Sequence, residues 1–330
     1  MRTALALLLT ASPAFAAPPR VVTDIGPVHS LVSQVMAGVG EPDLLVDGAT
    51  DPHAVQLKPS QARAVSSADL VVWTGPTFAP WLDRAVDEMA RGASLSLLDD
   101  PSTHLRELDG EDHEEDHNNS EDHGDEEHED HAEHDDHGDD HAEHDPEAEH
   151  SDGHDHANLT HDPHAWLSPE NGKAWLVTIA DELSAVDPDN AATYQANAQA
   201  AVTSLAERDA AVAEMLAPFA DAHIITFHDA FGYFADHYDL TIIGSVRPGD
   251  ASAPSAAALS QLKATVAAEG VDCLFAEPVY DPALLATVST GAAVETGTLD
   301  PVGSNLTPGP DLYGNLIAQI GENIAACLSR

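Results

Sequence analysis

Histidine and carboxylate dominate the polar chemistry of this 330-residue chain, which carries 20 His and 58 Asp plus Glu against 12 Lys plus Arg. Three histidines stand out by position: His53 in Thr50-Asp51-Pro52-His53, His164 in Asp162-Pro163-His164-Ala165-Trp166, and His228 directly after the apolar run Ile224–Phe227. Three neutral imidazoles suit Zn²⁺, whose tetrahedral sites take one further ligand. The candidates for that position are Asp300, a water, or a histidine from a separate acidic stretch. Asp300 sits in Gly297-Thr298-Leu299-Asp300-Pro301, after an apolar segment. His29, at the start of a helical segment, and His161, three residues before His164, are candidate auxiliary ligands. His104, His223 and His237 read as structural or exposed residues, and Trp166 as packing. Glu277 and Arg247 fall near strand ends, where they are either a buried pair ordering a cleft or plain surface charge.

The acidic stretch, residues 111–156, holds twelve more histidines: His113, His117, His123, His128, His131, His134, His137, His141, His144, His150, His154 and His156. It adds 23 acidic groups and no Lys or Arg. Histidine beside carboxylate without a fixed period offers many loose ligand sets and little apolar surface to bury. The segment is expected to be disordered when free. It reads as a low-affinity zinc collector or sensor, with a passive solvated linker as the bland alternative.

The formal charge of −46 argues against nucleic acid and anionic membrane surfaces as partners, since both need a basic face. Such a field favours cations. Residues 1–16 have the pattern of a cleaved signal peptide: Arg2, an apolar run including Leu5–Leu9, and Ala14-Phe15-Ala16 before the expected cut. The apolar run is shorter than the roughly 20 residues that span a bilayer. A soluble, exported chain beginning at Ala17 follows as the expectation. The two cysteines, Cys273 and Cys327, suggest one disulfide in an oxidising compartment, with zinc thiolates as the alternative.

The elements that must position these residues alternate. Strands are expected at Val21–Ile25, Leu44–Val46, Leu70–Trp73 and Leu95–Leu98, with helices between them, which argues for a parallel sheet flanked by helices. A helix over Glu170–Leu183 follows the acidic stretch. Asp187-Pro188 then opens a long Pro-free, Ala-rich run to about Leu216, read as a rigid spine. The alternation resumes with strands at Ile224–Phe227, Leu240–Ile243, Val271–Phe275 and Ala293–Glu295, and closes with a helix over Leu312–Leu328. The expected fold is α/β with two lobes. Residues 17–187 form the N-terminal lobe with the insertion at 111–156, 188–216 the linking helix, and 217–330 the C-terminal lobe. Ligands of open α/β sheets bind beyond the carboxyl ends of the strands, so a cleft between lobes is where the three histidines would meet.

Several motifs carry a resemblance. Asp51-Pro52-His53-Ala54-Val55-Gln56-Leu57-Lys58-Pro59-Ser60, Asp162-Pro163-His164-Ala165-Trp166-Leu167-Ser168-Pro169 and Phe227-His228-Asp229-Ala230-Phe231-Gly232 resemble three ligand signatures of the high-affinity zinc-binding proteins of bacterial ABC importers. Phe275-Ala276-Glu277-Pro278 and Gly297–Gly303 resemble the tail of that family. The likeness runs from about Val21 to Cys327, interrupted by the acidic insertion. It implies two α/β lobes joined by a long helix, Zn²⁺ held by His53, His164 and His228, and a Cys273–Cys327 disulfide. Pro52 departs from the family, some members of which place a glutamate there. That departure leaves Asp300 or a water as fourth ligand, with Asp300 slightly favoured.

The function expected is that of a periplasmic solute-binding protein, monomeric, that captures Zn²⁺ and hands it to an ABC transporter permease, with periplasmic zinc chaperones as further partners. Alternatives are a manganese- or iron-binding relative of the same family and a stand-alone extracellular zinc buffer. An enzyme is disfavoured, because the chain has no Gly-x-Ser-x-Gly and no His-Glu-x-x-His outside the acidic low-complexity stretch, where His113–His117 matches that spacing by composition.

Overall fold

A computed structural model describes residues 17–48, 50–108, 160–291 and 293–330. The proposed signal peptide and the twelve histidines between His113 and His156 therefore lie outside the described residues. The chain divides into a large compact unit, 1–107 with 161–330, and a small one, 108–160. In the small unit only Leu108 and Thr160 are described, and the Leu108 amide donates to the Thr160 carbonyl at 3.1 Å.

The large unit contains two four-stranded parallel sheets. The first is built from β1 (Val21–Thr23), β2 (Asp43–Leu44), β3 (Leu70–Trp73) and β4 (Ala93–Ser96), in the order β2-β1-β3-β4. The second is built from β5 (His223–His228), β6 (Thr241–Arg247), β7 (Cys273–Ala276) and β8 (Glu295–Thr298), in the order β6-β5-β7-β8. The continuous apolar runs of β1 and β3 are buried throughout, as strands covered on both faces must be.

Helices α1 (Gly26–Val35), α2 (Pro59–Ser67), α3 (Pro80–Met89) and α4 (Pro169–Val186) each carry proline in their first turn. Proline there costs no intrahelical hydrogen bond and presets the backbone. Ser168 caps α4 by accepting from the Asn171 amide. A 3₁₀ turn at Pro188–Asn190 leads into α5 (Ala191–Leu216), 26 residues or about 39 Å long. The second half adds α6 (Gly232–His237), α7 (Ala256–Ala268), α8 (Ala283–Val288) and α9 (Leu312–Leu328).

Helix α5 packs on α4, α1 and α9, so the spine read from the sequence is a packed central element. The start of α9 is also tied to the first half. Ser30 Oγ donates to the Pro310 carbonyl and accepts from the Tyr313 amide, while the Tyr313 hydroxyl donates to the carbonyls of Trp166 and Ser168. One apolar core runs from β1 and β3 through α4, α5 and α9, with Trp166, Trp175 and Tyr194 fully buried. A smaller cluster lies under β5 to β7 against α7 and α8, around Ile225, Phe227, Val246 and Leu262. Cys273 at the start of β7 is disulfide-bonded to Cys327 near the end of α9, with Cα atoms 6.3 Å apart.

Strand ends differ from the sequence reading. β4 begins at Ala93, earlier than Leu95, because Gly92 brings the chain hard against the Asp69 carbonyl and Ala93 pairs at once with Leu70. β8 begins at Glu295 and runs to Thr298, later than the Ala293–Glu295 expected, in register with β7. Both shifts are set by pairing between strands, which local composition does not encode.

Candidate metal centre

Parallel strands put all carboxyl ends of a sheet at one edge, and the histidines gather there. His228 is the last residue of β5, and Glu277 directly follows the adjacent β7. His53 lies in a short 3₁₀ turn, Pro52–Ala54, whose cap Asp51 accepts from the His53 amide at 3.0 Å. The Trp81 indole steadies this turn by donating to the Pro52 carbonyl. His164 precedes a second 3₁₀ turn, Ala165–Leu167. It is placed by an antiparallel bridge between Glu107 and His161 and by Asp162, whose amide donates to the Arg106 carbonyl. Tyr233 on α6 adds to this clamp, accepting from the Arg106 amide and donating to the Asp162 carbonyl.

The three imidazoles converge through Nε2. His164 and His228 Nε2 are 3.1 Å apart, and His53 and His164 Nε2 are 3.4 Å apart. A tetrahedral ion with Zn–N bonds of about 2.0–2.1 Å separates its ligand nitrogens by about 3.3–3.4 Å. The tautomers are set from behind. His164 Nδ1 is 2.8 Å from Asp162 Oδ1, and His228 Nδ1 is 3.0 Å from Glu277 Oε1. A carboxylate at Nδ1 draws the ring proton to that side and leaves the Nε2 lone pair facing inward. Converging lone pairs repel one another, and a cation between them relieves that repulsion. Phe78 and Trp166 pack edge-on against His164, and Phe78 also packs on His53, which keeps this wall apolar.

Burial disfavours charge throughout this centre. His53 is held down to about 3, first by burial and then by the nearby His164 and His228. His164 is also held well below its ordinary value by burial and by His228. Both are therefore free bases at neutral pH, the form that ligates. Burial pushes Asp162 up to about 7 against the opposing pull of the His164 amide and Arg106, and pushes Glu277 up against the opposing pull of His228. One oxygen of each of these carboxyls, Asp162 Oδ2 and Glu277 Oε2, is buried without a hydrogen-bond partner. A dication at the Nε2 convergence favours the ionised carboxylate and the Nδ1–H tautomer.

Asp300 lines the same pocket as the three histidines, but its oxygens are engaged. Oδ1 accepts from the amides of Val302 and Gly303, and Oδ2 from the amide and hydroxyl of Ser304. Within ligand reach of one another stand His53, His164 and His228, without Asp300. His29 is placed elsewhere, with Nε2 on the Pro42 carbonyl. His161 pairs with Glu107 in the bridge and is outside the triple. His223 and His237 bond to the Glu269 carbonyl and to Asp209 respectively. Glu170, Asp209 and His237 form a second cluster, but the Lys173 ammonium lies within it, 2.6 Å from Glu170 and 3.1 Å from Asp209. That is a cation-satisfied ion-pair network.

Sequence reasoning missed Asp162 and misassigned Glu277. The Glu277–Arg247 pair raised from sequence does not form. Glu277 holds His228, while Arg247 stacks on Tyr280 and donates to the Ala251 carbonyl. A signal for Asp162 was present in the repeated Asp-Pro-His triplet, since both aspartates accept the amide of their own histidine.

Comparison with known proteins agrees with this geometry. Residues 21–327 match the family described as zinc-uptake complex component A, periplasmic. The chain is 50% identical over 327 residues to the high-affinity zinc uptake system protein ZnuA of Paracoccus denitrificans, covering 98% of this chain and 96% of that protein. It is 42% identical over 312 residues to the protein of the same name from Brucella suis, covering 94% and 92%. Among solved structures, a zinc-bound deletion mutant of ZnuA superposes with a TM-score of 0.71 at 23% identity, covering 95% of this chain and 99% of that one. The laminin-binding adhesin of Streptococcus agalactiae shares the fold at a TM-score of 0.71 and 18% identity, covering 94% and 99%. Spanned by the family model almost from end to end and half identical to a zinc-uptake component, this chain belongs to the family of periplasmic A components of zinc-uptake complexes.

Proposed function

We propose that the chain captures Zn²⁺ between His53, His164 and His228 and delivers it, as a monomer, to an ABC transporter permease after export by a cleaved leader over residues 1–16. Membership of the family makes it a transport component and not an enzyme. Among the described residues no helix is long and apolar enough to cross a membrane. The observation that carries the reading is the Nε2 convergence at 3.1 and 3.4 Å, with carboxylates behind two of the rings. Three imidazoles favour zinc over manganese, which prefers oxygen donors. The fourth position falls to a water or to Asp300, whose use as a ligand requires release of its bonds to residues 302–304. The histidines of 111–156 serve as a low-affinity collector, and periplasmic zinc chaperones are further candidate partners.

X-ray absorption of the protein loaded with one equivalent of zinc tests this reading. Three imidazole nitrogens at about 2.0–2.1 Å and one oxygen donor at about 2.0–2.2 Å are expected. An Asp300→Ala variant that keeps the four-donor shell assigns the fourth position to water. A shell made mainly of carboxylate oxygen contradicts the reading.

A further inference from the structure

The chain passes from one apolar core to the other at His228. Ile225 and Phe227 on β5 lie in the smaller cluster of the second sheet, whereas Ala230, Phe231, Tyr233 and Phe234, just beyond the histidine, lie in the large core with α4, α5 and α9. Helix α6 follows β5 in sequence but is packed with the first half of the chain. Its fastenings are polar. At its far end His237 Nε2 is 2.7 Å from Asp209 Oδ1 on α5, which also accepts from the Tyr238 hydroxyl at 3.0 Å. Along its side stands Arg106, whose Nε donates to Asp236 Oδ2 at 2.8 Å and whose amide donates to the Tyr233 hydroxyl oxygen at 2.8 Å. Gly232, the first residue of α6, is what admits this arginine. A Cβ there would stand 2.7 Å from the guanidinium carbon and 2.8 Å from Nε. Both distances are well inside a normal carbon contact of about 3.5–4.0 Å.

The same arginine is tied to the segment that carries His164. Its carbonyl accepts from the Asp162 amide at 2.9 Å, and its Nη1 is 4.0 Å from Asp162 Oδ2, an oxygen without a hydrogen-bond partner. Asp162 Oδ1 holds the His164 ring. We infer that Arg106 is a positioning residue for the metal centre: by clasping α6 to the segment of Asp162, it holds His228 in register with His164. His228 stands at the crossing between the two cores, so any shift of the second sheet against the first half pivots there. With the clasp closed, α6 keeps the end of β5 in place. With the clasp loosened, His228 moves with its sheet and the ion leaves sooner. This inference rests on the three-histidine reading above.

The test is stopped-flow release of zinc from the full-length protein into excess chelator. Arg106→Ala is expected to speed release about fivefold, the upper scale for a partly exposed ion pair, while the association rate holds. Gly232→Ala leaves the arginine in the chain but displaces its guanidinium. It is expected to speed release similarly in the parent and to have no effect in an Arg106→Ala background, where that space is empty. A general loss of stability would not give this dependence of one substitution on the other. With Co²⁺ as probe, the visible ligand-field band is expected to shift in both single variants, because the ligands themselves are re-aimed. Release within about twofold of the parent in either single variant overturns the inference. So does a Gly232→Ala effect that persists without Arg106, or an unshifted Co²⁺ band. Loss of tight binding in His164→Ala marks the site independently. If His164→Ala leaves tight binding intact, it is the three-histidine reading that fails.

Discussion

Two Asp-Pro-His triplets place two of the three clustered histidines, and the aspartates do different work. Asp51 holds only the backbone of its histidine, whereas Asp162 holds backbone and ring together. The histidines were legible because few lie outside 111–156 and these three fall where strands give way to loops. Their supports were not. Glu277 reaches His228 across 49 positions, and only the parallel pairing of β5 with β7 brings them together. Removing such an outer partner typically costs about 10–100-fold in metal affinity. Asp162→Asn and Glu277→Gln are each expected to weaken zinc binding within that range, measured by competition with a chromophoric chelator. An affinity equal to the parent in both would show that the carboxyls do not orient the rings.

At the scale of elements, the alternation of strands and helices gave the parallel sheets, and the long Ala-rich run gave α5. The order of the strands and the return of α9 onto α1 and α5 were not legible, because both depend on contacts between distant segments. The same is true of the network that ties α5 to its neighbours. Asp209 on α5 accepts from Lys173 on α4, from His237 on α6 and from the Tyr238 hydroxyl. Burial would raise its carboxyl, but the hydrogen bonds from His237, Lys173 and Tyr238 outweigh burial and hold it below the ordinary range. A depressed carboxylate contributes stability that is complete above about pH 4 and is lost as pH falls through the folded-state value. Asp209→Asn should therefore cost about 2 kcal/mol in urea unfolding at pH 7, and the gap from the parent should narrow below about pH 4. The disulfide pins β7 to α9 across 54 positions. Cys327→Ser is expected to lower stability by about 4 kcal/mol, the chain-entropy scale for a loop of that length, when oxidised parent and variant are compared.

At the scale of the whole molecule, the formal charge of −46 belongs in large part to residues 111–156, which carry 23 acidic groups and twelve histidines. Composition made their chemistry plain but assigned them no geometry, and the three clustered histidines of the described residues lie outside them. Deleting 111–156 should remove weak zinc equivalents in a titration and leave one tight equivalent. Loss of the tight equivalent would mean that the insertion supplies a ligand. The most direct test of the account is a chelator-competition titration of the full-length protein beside its His164→Ala variant. The account predicts that the substitution weakens the tightest zinc equivalent by more than the about 10–100-fold expected for an outer partner, and leaves the weak equivalents in place. An unchanged tightest equivalent in His164→Ala would contradict it.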